Sequence, residues 1–185
     1  MSEDIIVRHC SPTLAGLKTG NIFTYDFESR REMICELRDL NRRLVPKGLR
    51  ALPLKYENER ALVYIYRPDM LKRDLRDRTA HRLLCRCGYS CKSCCEDIVR
   101  LQKRLSNCKS FPHEIGLFLG YPPSDVEGFI KNDRPCRLCG YWKVYGNEEQ
   151  ARRCFDKFSK CTRVYSRLQR QGSTLDKLTV KKHEE

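Results

Sequence analysis

Cysteine is the residue type through which this sequence could do chemistry most directly, since twelve cysteines occur in 185 residues. Two C-x-x-C pairs are present, Cys91 with Cys94 and Cys136 with Cys139, the second within the run CRLCG. Thiolates at this spacing can reach one ion, and four of them make the tetrahedral site that zinc prefers. Zinc is therefore a possible cofactor, provided that the fold unites two pairs that lie far apart in the chain.

The first pair also permits a thiol redox hypothesis. Ser93 and Glu96 have the spacing of a capping box, which predicts that Cys94 and Cys95 lie in the first turn of a helix. The helix dipole and the free amides there favour a thiolate, with Cys91 as its partner. Against redox chemistry, the residues before this pair look helical, whereas a thioredoxin-like motif follows a strand. Plain packing is the third interpretation, because free cysteine behaves as a small buried apolar residue.

A second group of candidate residues surrounds Trp142, the only tryptophan. Residues 110–130 contain no Lys or Arg although the chain carries a formal net charge of +13, which indicates a buried or ligand-facing element. Histidine and glutamate can exchange protons near neutral pH, and a lysine can hold an anion. The predicted ligand-binding residues are Cys10, Thr13, Lys18, His113, Glu114, Lys143 and Tyr145. No H-E-x-x-H, phosphate-loop or G-x-S-x-G motif occurs, so the sequence indicates no reaction.

Three motifs give the chain a resemblance to a known family. They are CSPTLAGLK in residues 10–18, FPHEIGLFLGYPPSDVEGFI in residues 111–130 and WKVYG in residues 142–146. With these motifs the chain resembles a family of small bacterial proteins, mostly from anaerobes, described as a domain of unknown function, from Cys10 to about Val180. The resemblance implies a shared fold and no activity. The chain departs from the family pattern in the cysteine-dense run from Cys85 to Cys95, so chemistry there would be particular to this protein.

The composition is typical of a globular chain of single-domain size. Hydrophobic residues make up 40% and charged residues 33%, and no apolar run is long enough to span a membrane. The N-terminal MSEDIIVRHC lacks the pattern of a signal peptide, which predicts a cytoplasmic protein with reduced cysteines. We expect one domain over residues 1–180, a frayed tail over residues 181–185, and no membrane partner.

The excess of basic residues favours an anionic partner. The first hypothesis is a small anionic ligand, bound between the CSPTLAGLK segment and the HEIG and WKVYG motifs by a binding or regulatory module. The second is nucleic acid, bound by basic helices in residues 67–109. Residues 114–132 also have the spacing of a helix-turn-helix, but Asp125 and Glu127 would bring negative charge to the DNA. A zinc or thiol redox protein is the third hypothesis.

The elements that must position these residues follow from periodicity and capping signals. Strands are predicted over residues 21–27, 49–56, 61–66 and 141–145, with the third in the centre of a sheet because both its faces are apolar. Ser11 and Pro12 predict the start of a helix over residues 13–18. Further helices are predicted from the Ser29 and Glu32 capping box to Leu44, through residues 68–107 and over residues 112–120. Ser124 with Glu127 caps a helix over residues 124–132, and Asn147 with Gln150 caps the last helix, which ends at Gly172. These elements predict a mixed α/β (α+β) fold. The more specific hypothesis is a ferredoxin-like βαββαβ core with an expanded helical insertion.

Overall fold

A three-stranded antiparallel sheet lies at the centre of the fold. The computed structural model describes residues 1–107 and 110–181. The strands are β1 (Gly20–Asp26), β2 (Arg50–Glu57) and β3 (Arg60–Tyr66), in the order β1-β3-β2. The mixed α/β class is thereby confirmed, and so is the central position of β3.

The central strand joins two hydrophobic cores. Ala61, Val63 and Ile65 belong to one cluster, and Tyr64 and Tyr66 belong to the other. This division is the period-2 alternation of a strand that is covered on both faces.

Helices cover both faces of the sheet. The first cluster contains residues of α1, α2 and α9, and the second contains residues of α3 to α7. The bounds are α1 (Glu3–Leu14), α2 (Arg30–Leu44), α3 (Pro68–Leu75), α4 (Arg78–Arg86), α5 (Cys94–Asn107), α6 (Ile115–Phe118), α7 (Pro123–Lys131), α8 (Glu148–Arg170) and α9 (Leu175–Leu178), with a short 3-10 helix over Val45–Lys47.

The first helix begins earlier than predicted. Ser2 accepts a hydrogen bond from the amide of Asp4 and caps α1, so the expected start at Ser11 and Pro12 is wrong. Pro12 instead lies in the last turn of α1, where its missing N–H removes a single hydrogen bond. Ser11 is buried and donates its hydroxyl to the carbonyl oxygen of Val7, so it does not cap a helix.

Of the other four predicted caps, two form and two do not. Ser93 accepts from the amide of Glu96 at 3.2 Å, and Asn147 accepts from the amide of Gln150 at 3.0 Å. Ser29 precedes α2 but makes no side-chain capping bond. The helix expected to start at Ser124 begins at Pro123, where the fixed φ of proline suits the first helical position.

The fourth predicted strand does not join the sheet. Residues 141–145 contribute only β5 (Lys143–Val144), which pairs with β4 (Leu138–Cys139) in a separate two-stranded hairpin. The order β1-β3-β2 is that of three ferredoxin-like strands, but the ferredoxin-like core itself is not confirmed.

The two ends of the described chain meet at Arg67, which follows β3. Arg67 is 2% exposed, and its guanidinium donates to the carbonyl oxygens of Thr13, Leu14 and Val180 at 2.7–2.8 Å. A cation at the C-terminus of α1 satisfies carbonyls that the helix leaves free and complements its dipole. Residues 182–185 of the predicted frayed tail lie outside the described residues. In the part of the chain that the structure describes, no helix is long and apolar enough to cross a membrane.

Candidate functional site

An apolar cavity of about 380 Å³ lies between β1, the α6 and α7 helices and the β4–β5 hairpin. Its walls are almost entirely hydrophobic and aromatic. The residues that line it are Ile22, Phe111, His113, Ile115, Gly116, Leu119, Tyr121, Asp125, Val126, Phe129, Trp142 and Lys143. Three of the elements that form it carry the motifs on which the family resemblance rests.

Trp142 forms the centre of an aromatic wall. Its ring stacks on Tyr121 with centroids 4.9 Å apart and meets Phe155 of α8 edge-on at 4.6 Å. Aromatic pairs in these two geometries are attractive beyond their burial, so the wall is rigid. The indole is half-buried, which leaves part of its face toward the cavity.

The wall is fixed by Asp125 on α7. One carboxylate oxygen accepts from Nε1 of Trp142 at 2.8 Å, and the other accepts from the amides of Tyr145 and Gly146 at 2.8 and 2.7 Å. Asp125 is buried, and these three N–H groups satisfy its charge. The only acidic residue of the cavity is therefore already occupied in holding the hairpin against α7.

The rim of the cavity carries two hydrogen-bond donors, His113 and Lys143. Phe129 meets the imidazole of His113 edge-on at 4.8 Å, and Nζ of Lys143 lies 5.4 Å from the centroid of the same ring. Both His113 and Lys143 are exposed. They are the two predicted ligand-binding residues that line this cavity, and both can donate to an anion that enters it.

Lys18 lies one layer behind the wall. Its ammonium donates to the carbonyl oxygen of Gly20 at 2.7 Å and lies 5.1 Å from the centroid of the Tyr121 ring. Burial lowers the pKa of Lys18 to about 8, against a smaller opposing effect of Cys10. Lys18 does not line the cavity, but it contacts a residue that does. The N-terminal motif thus reaches the site through Tyr121.

The other predicted ligand-binding residues lie elsewhere in the core. Burial raises the pKa of the Cys10 thiol to about 12, because it lies inside the cluster of α1 and the sheet. Thr13 is buried and donates to Oδ1 of Asn21 at 2.7 Å. Glu114 accepts from the hydroxyl of Tyr89 and from Arg104 of α5, while the buried Tyr145 packs against Gly128. None of these four residues lines the cavity.

Sequence reasoning missed the apolar residues that give the cavity its shape. Ile22, Leu119 and Phe129 come from β1, from the end of α6 and from α7, and each looks like an ordinary core residue in the sequence. One available signal was the aromatic content of the motif containing Tyr121 and Phe129, next to the single tryptophan. The rest depends on how the hairpin packs on α7.

A larger and more open groove of about 980 Å³ lies at the turn between β2 and β3. Its charged lining consists of four acidic residues and two basic residues, and both basic residues are paired. Arg60 binds Asp26 at 2.7 Å and Lys55 binds Glu57 at 2.9 Å. Exposed pairs of this kind are common on ordinary surfaces, so the smaller apolar cavity is the better candidate.

The four cysteines proposed as zinc ligands are not brought together. Cys136 and Cys139 lie on the β4–β5 hairpin and Cys94 begins α5, and no group of possible metal ligands among the described residues contains any of the three. Burial raises the pKa of the Cys94 thiol, and Asp97 and Cys95 raise it further. The position of Cys94 at the start of α5 is as predicted, but it lacks the lowered pKa that the redox hypothesis requires.

The helix-turn-helix spacing corresponds to a compact helical hairpin. α6 is a single turn, and Asp125 at the start of α7 is buried against Trp142. Glu127 pairs with Arg82 and Lys131. Within the predicted basic region, the described residues that are basic and exposed are Lys72, Arg73, Arg76, Arg78, Arg82, Arg86, Lys92, Arg100 and Lys103.

Comparison with known proteins agrees with the motif resemblance. A family model described as a protein of unknown function (DUF3793) matches residues 6–179. No curated protein matches the chain, and no solved structure matches it. Because the family model matches nearly the whole chain, from within α1 to the residue after α9, the chain belongs to the DUF3793 family.

Proposed function

We propose that the protein is a binding module for a small, flat, aromatic anion, which enters the cavity between β1, α7 and the β4–β5 hairpin. The observation that supports this most directly is an aromatic wall, Tyr121 with Trp142, next to a rim where Lys143 and His113 can donate hydrogen bonds. Most sites for small molecules are apolar clefts with a few convergent polar groups. This cavity has that composition.

The size and walls of the cavity favour a flat ligand. A volume of about 380 Å³ lies near the lower end of the range for small-molecule sites. Stacking against Trp142 contributes most to a planar π-system, since aromatic pairs gain about 0.5–1.5 kcal/mol beyond area burial. A one- or two-ring compound therefore suits the site better than a flexible chain.

The charges of the cavity favour an anion. The carboxylate of Asp125 already accepts three N–H bonds, so it repels an incoming anion less than a free carboxylate would. Lys143 projects from the exposed side of β5 at the rim. A carboxylate or sulfonate on the ligand edge would meet its ammonium.

A titration followed by NMR tests the proposal. The single tryptophan gives one indole N–H signal, and that N–H lies in the wall. We expect 2-naphthoate to shift this signal and the uncharged 2-naphthalenemethanol to shift it at higher concentration. Lys143→Gln should weaken naphthoate binding about fivefold, because an exposed ion pair contributes ~1 kcal/mol.

Lys157→Gln on the exposed face of α8 is the matched control and should leave the affinity unchanged. Raising the salt concentration should weaken naphthoate only modestly, whereas a nucleic acid bound to the basic helices would be lost steeply. The proposal is wrong if the indole signal does not move with 2-naphthoate, indole-3-carboxylate or 1-anilinonaphthalene-8-sulfonate. It is also wrong if Lys143→Gln and Lys157→Gln weaken binding equally.

A further inference from the structure

Three side chains that can bind metals meet where α4 turns toward α5. His81 and Cys85 are four residues apart on α4, so they share one face of the helix. Cys91 comes from the connection that follows. The ligand atoms of the three residues all lie within 4.8 Å of one another.

The distances within this cluster fit a tetrahedral ion. Sγ of Cys85 lies 3.4 Å from Sγ of Cys91 and 3.7 Å from Nδ1 of His81. Zinc bonds of about 2.3 Å to sulfur and about 2.0 Å to nitrogen give tetrahedral edges of roughly 3.8 Å for S–S and roughly 3.6 Å for S–N. The third edge, between Sγ of Cys91 and the imidazole nitrogen of His81, is at most 4.8 Å. Shifts of up to about 1 Å would therefore convert the cluster into three corners of a zinc site.

The connection holds Cys91 in place without help from a metal. Gly88 and Cys91 both adopt the left-handed conformation, with φ of +78° and +54°, which turns the chain back toward α4. The amide of Cys91 donates to Oδ1 of the buried Asp97 at 3.1 Å. Positive φ is uncommon for a residue other than glycine, and here the bond to the buried carboxylate of Asp97 maintains it. The fold therefore determines the position of Cys91.

We propose that His81, Cys85 and Cys91 form a binding site for Zn²⁺, with the fourth position open to water or to an external ligand. Zn²⁺ with two thiolates and a neutral imidazole forms a complex without net charge. The arginine side chains on the surface of α4 do not repel such a complex. His81 and Cys85 are exposed, so an ion can enter from solvent. This ligand set differs from the four-cysteine set predicted from the C-x-x-C pairs, and it shares only Cys91 with it.

Titration of the reduced, metal-free chain with Co²⁺ and then Zn²⁺ tests the site. We expect one equivalent of Co²⁺ to give tetrahedral d–d bands and a charge-transfer band with the intensity of two thiolates. We expect Zn²⁺ to displace the Co²⁺ and to remove these bands. Cys85→Ser and His81→Gln should each weaken Zn²⁺ binding at least tenfold in competition with a chromophoric chelator. Both residues are exposed, so the variants should keep the far-UV circular dichroism of the wild type.

Cys95→Ser is the matched control, because Cys95 is an exposed cysteine of α5 outside the cluster. The proposal fails if this variant weakens binding as much as Cys85→Ser, or if the charge-transfer intensity corresponds to four thiolates and depends on Cys136 and Cys139. It also fails if Co²⁺ gives only the weak bands of an octahedral ion. A Cys85–Cys91 disulfide in protein purified under reducing conditions would contradict it as well.

Discussion

Lys18 keeps its ammonium group almost entirely inside the protein, with 4% of the residue exposed. Its ammonium contacts one carbonyl oxygen and the ring of Tyr121, and no carboxylate bonds to it among residues 1–107 and 110–181. Burial of a charge without a counterion disfavours the charged form, which is why its pKa falls to about 8. The sequence shows that residue 18 is a lysine. Only the fold shows that burial of its positive charge costs free energy of folding.

The pH dependence of stability should reveal this cost. Between pH 8 and 10.5 the folded chain has released the Lys18 proton and the unfolded chain still binds it, so the free energy of unfolding rises with pH. Between pH 7 and 9 we expect wild type to gain about 1 kcal/mol relative to Lys18→Met. Urea unfolding of both proteins at pH 7, 8 and 9 measures the difference.

The Lys18→Met reference is needed because buried cysteines change the pH dependence of stability in the opposite direction to Lys18. The pKa of Cys10 is raised to about 12, so above about pH 9 the unfolded chain loses a thiol proton that the folded chain keeps, and stability falls. This loss is common to both proteins. Parallel stability curves for wild type and Lys18→Met would contradict the assigned environment of Lys18.

Among the elements, the contact between α7 and the β4–β5 hairpin decides the shape of the cavity. Gly128 faces the root of Tyr145 so closely that a methyl group on its Cα would lie 2.5 Å from Cγ and 2.6 Å from Cβ of that residue. These atoms lie next to the backbone and cannot rotate away. Only glycine permits the present approach of the helix to β5.

Gly128→Ala should therefore destabilise the protein although alanine is the better helix former. The gain in helix propensity is about 1 kcal/mol, and overpacking of a tight contact costs about 1–3 kcal/mol. We expect a net loss of about 1 kcal/mol in urea unfolding and a displaced indole signal of Trp142. Ser124→Ala on the exposed first turn of α7 is the control and should change neither by a comparable amount. If Gly128→Ala has a higher free energy of unfolding than the wild type, the contact between Gly128 and Tyr145 is looser than these distances indicate.

Long elements with regular apolar periodicity were predicted from the sequence, whereas elements whose bounds depend on tertiary contacts were not. α2, α8 and the β2–β3 hairpin were predicted correctly, because apolar periodicity persists over their whole length. The start of α1 was missed because Pro12 looked like a first-turn residue and lies in the last turn instead. β5 was predicted too long, since Trp142 forms a cavity wall and Tyr145 packs against Gly128, and neither lies in a strand.

The candidate site was less predictable than the elements. His113 and Lys143 were identified by residue type, but Phe129 and Ile22 become wall residues only when α7 and β1 meet. His81 and Cys85 had a usable signal, since a histidine and a cysteine four residues apart share a helix face. Cys91 comes close to these two residues because the connection contains two residues in the left-handed conformation, and sequence periodicity does not predict that conformation.

For the whole molecule, Arg67 ties together segments that are distant in the chain. Its donors satisfy carbonyls of α1 and of the C-terminal segment, and no acidic side chain is among the partners in these bonds. Arg67→Met would remove three hydrogen bonds from a charged donor, each of which contributes about 1.5–3 kcal/mol. We expect the free energy of unfolding to fall by at least ~3 kcal/mol.

Chemical denaturation of Arg67→Met beside Arg8→Met measures this effect. Arg8 is also an arginine, but its side chain is 69% exposed and it pairs only with Asp4 on the surface of α1. Such a pair contributes about 0.2–1 kcal/mol. Similar losses for the two variants would contradict the role given to Arg67.

The same arginine has a consequence for synthesis on the ribosome. The amide of Val180 donates to the carbonyl oxygen of Leu14, beside the bond from Arg67 to Val180. An early helix is thus completed by residues that leave the ribosome more than a hundred and fifty positions later. Contacts of such sequence separation form slowly, so the nascent chain must keep the apolar face of α1 from aggregating until its final segment emerges.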